Sequence, residues 1–364
     1  MFPLLKKIKK LFLHSKKPVI CRDIRVPALQ RGWNCITVHE AIDQFVFSQL
    51  GDDHYSQQDF YSHEEDYKRP QTLVTIPWAR VRDAIGFVFL PDGSVCAEGN
   101  WWEPYMVKNP AYSDRFRAVK KLRGDVFTLL GMWSPEYYHW FHDTLPKLWN
   151  SLPHLPKGCR FLINQNPKEY QYASLHEIGI PKDRLVYMKD KGDLLVERLW
   201  FSTPHGYTTF SGPQSVQEFA NKISSSICSL QTGQKRIYIS RARAKTRRVA
   251  NEAEIGPVLL KHGFLVEFME SYSFERQVEI LAGCDFLIGP HGAGLTNLIF
   301  TNKDAHIIEI AGEEFVDCYG FMAKTTGRKF SRIICQQDGR DGDYFVTPDR
   351  LDESLKSILN PVGH

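Results

Sequence analysis

The sequence predicts an α/β protein built on parallel sheets, and three observations carry that expectation. After residue 231, short apolar runs at 236–240, 264–269, 286–289, 306–311 and 331–337 alternate with helical stretches. The helices are expected from 251, over 273–284 and 315–326, and from Thr347-Pro348 to about 359. That alternation, over roughly a hundred residues, has the size and pattern of one Rossmann-like unit. Earlier in the chain, CRFLINQ (159–165), a helical segment near 168–177, RLVYMKD (184–190) and LLVERLWFST (194–203) repeat the strand–helix–strand order of a parallel sheet. Third, FLIGPHGAGLTNLIF (286–300) reads as a buried strand, a tight small-residue turn and a helix start.

Composition narrows the classes. The 364 residues allow two domains, because single cores stop growing near about 250–300 residues. The expected divisions are a basic segment 1–17, an α/β unit 18–230, a Rossmann-like unit 231–345 and a closing helix 346–364. A composition of 43% hydrophobic, 13% aromatic and 24% charged residues excludes disordered and fibrous classes. The net charge of +4 is too mild to imply nucleic acid. Eight scattered cysteines without CxxC spacing suggest reduced, packed thiols in a cytosolic setting. No apolar run approaches the ~18–20 residues that span a bilayer. In MFPLLKKIKKLFLHSKK (1–17), lysines are interleaved with apolar residues at helical spacing. This is the pattern of a helix lying on an anionic lipid surface, although a solvated basic tail has the same composition.

Residues 18–124 are less informative. Their clearest features are an acidic, loop-like stretch at 52–69 and a hairpin at 86–99 around Pro91-Asp92-Gly93. From 126 the signals strengthen: VFTLLG is a strand, and Ser134 and Pro135 suit the start of the helix that follows. On that helix His139, His142 and Asp143 fall at i, i+3 and i+4 and share a face. Such a face suits a metal site, an acid/base pair or a polar substrate wall. Trp140 offers core contact or a stacking surface.

Two further stretches bear on anion binding. Arg241, Arg243, Lys245, Arg247 and Arg248 lie within eight residues, directly after a strand. Ligands of open α/β sheets bind at strand C-terminal ends, and guanidinium groups pair with phosphate oxygens. Asn251 and Glu254 have the spacing of a capping box. In the turn, Gly292 and Gly294 permit close backbone approach, and the following N–H groups attract an anion. Glu309, at a strand end, is expected to accept hydrogen bonds from ribose hydroxyls. Arginine loop, His-Gly turn and glutamate together describe a nucleotide-diphosphate site.

YYHWFHDTLPKLW, ISRARAKTRRVANEAEI and GPHGAGLTNLIF followed by IIEI, in this order, resemble glycosyltransferase family 61. The resemblance covers about residues 125–309. It implies a GT-B fold, two Rossmann-like domains facing a cleft, with the acceptor on the 18–230 side and a nucleotide sugar on the 231–345 side. It also implies an inverting transfer with no metal or other cofactor, and a UDP-sugar as the favoured donor. Arg241 and either Arg247 or Arg248 would contact the donor diphosphate. The turn His291, Gly292, Ala293, Gly294, Leu295 and Thr296 would cradle it, with Asn251 and Glu309 nearby. Asp143 is the first choice for the base and His139 the second, with His142 and Trp140 on the acceptor side. The basic N-terminus favours the bacterial branch, where the acceptor is a lipid-linked, capsular or lipopolysaccharide glycan. The protein would then be cytoplasmic and peripheral on the inner face of the plasma membrane, with no nucleic-acid partner. Two rival readings are a metal-dependent phosphohydrolase using His139, His142 and Asp143, and a non-catalytic nucleotide- or glycan-binding protein.

Overall fold

The computed structural model describes residues 20–39, 70–97, 118–204, 206–207, 210–228, 235–313, 316–339 and 342–360. The basic segment 1–17 and the acidic stretch 52–69 lie outside them. Nine strands form the first sheet: β1 (Ile20–Cys21), β2 (Cys35–His39), β3 (Gln71–Arg82), β4 (Phe87–Phe89), β5 (Val95–Cys96), β6 (Lys120–Thr128), β7 (Arg160–Asn164), β8 (Leu185–Met188) and β9 (Asp193–Ser202). Their order is β1-β5-β4-β3-β9-β6-β7-β8, with β2 also on β3. Strands β9, β6, β7 and β8 run parallel, as the alternation predicts. However, β9 pairs antiparallel with β3 from Leu73↔Ser202 to Arg82↔Asp193. The sheet is therefore mixed.

The sequence hides β3. Pro77 lies inside it, and an internal proline ordinarily argues against a central strand. The chain accommodates it with an irregularity: Trp78 takes a φ of 52°, and pairing passes from Pro77↔Arg198 to Ala79↔Val196. At the far end of the strand, the fully buried Asp193 carboxylate accepts hydrogen bonds from Arg80 (2.6 Å) and the buried Arg82 (3.0 Å). Helix α1 (Arg25–Gln30) buries Ala28 in the cluster on one face of this sheet, with Val74, Ile76, Val126 and Leu199.

After a short hairpin, β10 (Gly206–Tyr207) and β11 (Phe210–Ser211), comes an all-parallel five-stranded sheet. Its strands are β12 (Lys235–Ile239), β13 (Leu265–Glu267), β14 (Cys284–Pro290), β15 (His306–Ala311) and β16 (Lys329–Ile334), in the order β13-β12-β14-β15-β16. The chain leaves β12 for one edge, at β13, and then returns to build outward from the other side. This reversal makes the C-terminal ends of β12 and β14 the topological switch point, where open α/β sheets bind ligands. A last hairpin, β17 (Gln336–Gln337) and β18 (Tyr344–Phe345), precedes the C-terminal helix Pro348–Leu359, which Thr347 caps by accepting from Arg350 N–H.

Between the sheets lies one continuous core. Phe127, Phe161 and Phe219 share a cluster with Phe274, Leu287, Phe300 and Ile307. At its centre Phe141 stacks on Phe274 with ring centroids 5.3 Å apart and meets Phe300 edge-on at 5.9 Å. No disulfide joins the described cysteines, and no described helix is long and apolar enough to cross a membrane.

Candidate functional site

The helix predicted from Ser134 begins two residues later. It runs as α2 (Tyr137–His139), widens into a π-helical turn at Trp140–Thr144 and continues as α3 (Leu145–Ser151). Its apolar face, Phe141, Leu145 and Leu148, is fully buried. Trp140 belongs to that face as well: it has no exposed surface, and its indole donates to Ser174 at 2.9 Å. It is a core residue, so the sequence expectation of an acceptor-side wall is corrected. His142, 1% exposed, stacks on Tyr138 at 5.0 Å and also lies below the surface.

His139 and Asp143 form a dyad. The Nδ1 of His139 is 2.7 Å from Oδ2 of Asp143, and the imidazole stacks on Trp133. His142 Nδ1 stands 3.6 Å from the other carboxylate oxygen. Burial would raise the Asp143 pKa, but hydrogen bonds and charge from His139 and His142 outweigh it and hold the carboxyl well below the usual range. Asp143 is therefore held ionised beside the two imidazoles. The His139 ring turns its second nitrogen away from this bond.

At the switch point the arginine loop divides its charges. Arg241 folds inward: its Nε donates to the Arg247 carbonyl (3.1 Å) and its Nη2 to the Thr246 carbonyl (3.0 Å). The guanidinium lies directly over Gly292, where a Cβ would come within 2.2 Å of Nη1. Gly292 has extended backbone (φ 163°), so it is the close approach of Arg241 that requires glycine. Burial, aided by the neighbouring Arg247 charge, lowers the Arg241 pKa. Arg247 takes a φ of 56°, whereas Arg248 points outward into a pair with Asp343 at 2.6 Å. Of the two candidate partners of Arg241, Arg247 is thus the inner one. Arg243 reaches Ser271 and covers the Phe268 ring.

The turn follows β14. Gly292 is buried, Ala293 is exposed, and Leu295 and Thr296 are buried beneath them in a 3-10 helix, Ala293–Phe300. Gly294 packs against β12, where a Cβ would sit 3.0 Å from the Ile239 side chain. His291 Nδ1 lies 2.6 Å from Glu309 Oε1, and the other Glu309 oxygen accepts from Arg332 Nε at 2.8 Å. Arg332 in turn donates to Asp317. Glu309 has no exposed surface, so in this arrangement its oxygens face His291 and Arg332. Asn251 is 7% exposed and bonds to Val346 and Glu254 through its side chain. It makes no capping bond to its helix, contrary to the capping-box expectation.

Three tyrosines to which the sequence reading gave no role connect these parts. Tyr319 meets His291 edge-on at 5.1 Å and Tyr138 at 5.5 Å, and Tyr138 stacks on His142. Tyr137 donates to Asn297 of the 3-10 helix, tying the dyad's helix to the turn. Burial raises the Tyr138 and Tyr319 pKa values well above normal, so both hydroxyls stay protonated. Among the described residues no group of three or more His, Cys, Asp or Glu side chains is arranged to hold a metal ion.

The arrangement joins a histidine–carboxylate pair to an arginine-lined switch point, and part of the chain is similar to known glycosyltransferases. Residues 137–308 match the model of the family Glycosyltransferase 61. A segment of 96 residues is 38% identical to the EGF domain-specific O-linked N-acetylglucosamine transferase of Drosophila melanogaster, covering 26% of this chain and 18% of that protein. Over 233 residues it is 23% identical to the Protein O-linked-mannose beta-1,4-N-acetylglucosaminyltransferase 2 of Pan troglodytes and of Homo sapiens, covering 56% of this chain and 40% of each relative. The chain thus spans less than half the length of these relatives.

Proposed function

We propose that the protein transfers a sugar from a nucleotide-sugar donor, with UDP-sugars the first to test, to a hydroxyl of a glycan acceptor, inverting the anomeric centre. The observation that carries this reading is the Arg241 guanidinium seated on Gly292 at the β12/β14 switch point. The donor diphosphate would lie against Arg241, Arg247, His291 and the first N–H groups of the 3-10 helix. Fixed cations and N–H dipoles there stabilise the charge that builds on the leaving diphosphate. That assignment gives the stabilising charge to the protein itself and makes no use of a metal. In a GT-B arrangement, the dyad's helix would form the facing wall.

Inversion needs one base beside the acceptor hydroxyl. The depressed Asp143 carboxyl argues for His139 as proton acceptor, with Asp143 orienting it and stabilising the imidazolium. The acceptor oxygen then attacks C1 as the bond from C1 to the diphosphate oxygen breaks. Synthesis of a surface polysaccharide as the setting, and N-acetylglucosamine as a candidate sugar suggested by the relatives' names, belong to the same proposal.

The test pairs two variants. Asp143→Asn should lower turnover by about 100–10,000-fold, the usual contribution of general base catalysis, while UDP affinity holds. Arg241→Ala should instead weaken UDP binding by about 10–100-fold. The reading fails if UDP gives wild type no thermal shift, or if the two variants exchange phenotypes.

A further inference from the structure

The sequence points Glu309 at the donor's ribose, but the structure surrounds it with other partners. Glu309 is paired with Arg332 in the β15/β16 register, so the two side chains leave the sheet on the same face. Arg332 donates to Glu309 through Nε at 2.8 Å and to Asp317 through Nη2. Asp317 is 1% exposed, and its carboxylate fills the space above Gly320, where no Cβ would fit. Burial alone would lower the Arg332 pKa, but the charges and hydrogen bonds of Glu309 and Asp317 raise it. The guanidinium is thus a permanent cation fixed at both ends.

His291 is held from the opposite side. Its backbone N–H donates to the Ile310 carbonyl at 2.8 Å, and its Nδ1 lies 2.6 Å from Glu309 Oε1. A carboxylate paired with Arg332 accepts at both oxygens. Nδ1 therefore carries the proton of this bond, which leaves Nε2 as the ring's remaining site for a ligand. To donate to a phosphate oxygen, Nε2 must carry a proton too, and the ring is then an imidazolium, the form that the Glu309 charge favours. Tyr319 meets the ring edge-on at 5.1 Å and is kept protonated by burial. Burial does the same for Cys318 and Tyr344, on which the Glu309 charge also acts. Arg241, lying over Gly292, and the neighbouring Arg247 oppose the imidazolium until an anionic donor offsets their charge.

We propose that Glu309 is a positioning residue and not a ribose ligand: braced by Arg332, it holds His291 through Nδ1–H so that Nε2 meets the donor diphosphate as part of an imidazolium. This deepens the transferase reading and rests on it.

Nitrogen-15 NMR of the full chain with labelled histidine tests the tautomer, the His291 signals being assigned by their loss in His291→Gln. Wild type should carry a proton on Nδ1 with and without UDP. In Glu309→Gln, Arg332 keeps the amide oxygen and turns the NH2 group to His291, so Nδ1 must accept and the proton moves to Nε2. The ring then meets phosphate uncharged. Affinity should fall by about 5–15-fold, the difference between a charged and a neutral hydrogen bond. The fall should be equal for UDP and for inorganic pyrophosphate, and Glu309→Gln should add little to His291→Gln. A proton on Nε2 alone in wild type, an unchanged tautomer in Glu309→Gln, or a loss confined to UDP overturns the proposal; the last of these returns Glu309 to the ribose. If Glu309→Gln does not fold, the wild-type tautomer and an equal loss of both ligands in His291→Gln decide the question. Failure of UDP to bind wild type is a separate result and counts against the transferase reading itself.

Discussion

Replacing Gly292 by alanine is the most specific test of the donor wall. The backbone there is extended at φ 163°, so alanine adds no conformational strain. Its Cβ would lie 2.2 Å from Nη1, 2.6 Å from Cζ and 2.9 Å from Nε of Arg241. Contact near 3.5–4.0 Å requires the guanidinium to withdraw by more than about 1 Å. That movement breaks its bonds to the Arg247 and Thr246 carbonyls at 3.1 and 3.0 Å. Hydrogen bonds to charged groups contribute about 1.5–3 kcal/mol each, but Arg241 is partly exposed and water replaces part of the loss. The cost in folding should be about 1–2 kcal/mol. Mispositioning the cation against a diphosphate should cost about 2–3 kcal/mol of binding, or roughly 30–150-fold in UDP affinity. Titration calorimetry with UDP, beside urea unfolding, reads both quantities. Adding Gly292→Ala to Arg241→Ala should then change little, because the two substitutions remove the same contact. UDP affinity within threefold of wild type in Gly292→Ala would refute the assignment of Arg241 to the diphosphate.

Two further outcomes follow from charges held by the fold. Asp193→Ala leaves Arg82, 2% exposed, beside a lost carboxylate, and should cost about 3–5 kcal/mol in urea unfolding; a loss below 1 kcal/mol would show that Arg80 and Arg82 do not depend on Asp193. The folded-state pKa of Asp143 is depressed, so its stabilisation is complete above its unfolded value near ~4 and is lost only as pH falls through the folded value. The stability difference between wild type and Asp143→Asn should shrink as pH falls below about 4; a difference that does not fall in that acid range would contradict a carboxylate held ionised by its partners.

What was legible in the sequence is what local periodicity encodes. The parallel strands β12 to β16, the arginine loop, the His-Gly turn and the His139/Asp143 face all declare themselves within a dozen residues. What depends on distant partners did not. Pro77 concealed β3, whose place beside β9 is fixed by pairing across more than a hundred residues. The choice between Arg247 and Arg248 is made by Asp343, 95 residues beyond Arg248. Glu309 meets Arg332 across the β15/β16 pairing, and that partner lies beyond the span of the recognised motifs. Trp140 sits one position from His139, and helical spacing alone does not say which neighbour the core takes.

The spacing between dyad and arginine wall is set by the core that both share. Rotating the two sheets apart would expose Phe141, Phe219, Phe274 and Phe300, of which three have no exposed surface and Phe300 has 4%. At about 2–3 kcal/mol for each buried phenylalanine, that opening costs about 8–12 kcal/mol. This is comparable to the whole stability of an ordinary domain, about 5–15 kcal/mol. The Tyr137–Asn297 and Tyr138–Tyr319 contacts add to it. The π-helical turn acts within this fixed frame: Trp140 and Phe141 anchor it in the core while His139 and Asp143, on either side, remain partly exposed. The wider turn is therefore a positional device. It lets one helix seat two large aromatic side chains and present a histidine–carboxylate pair on its other side.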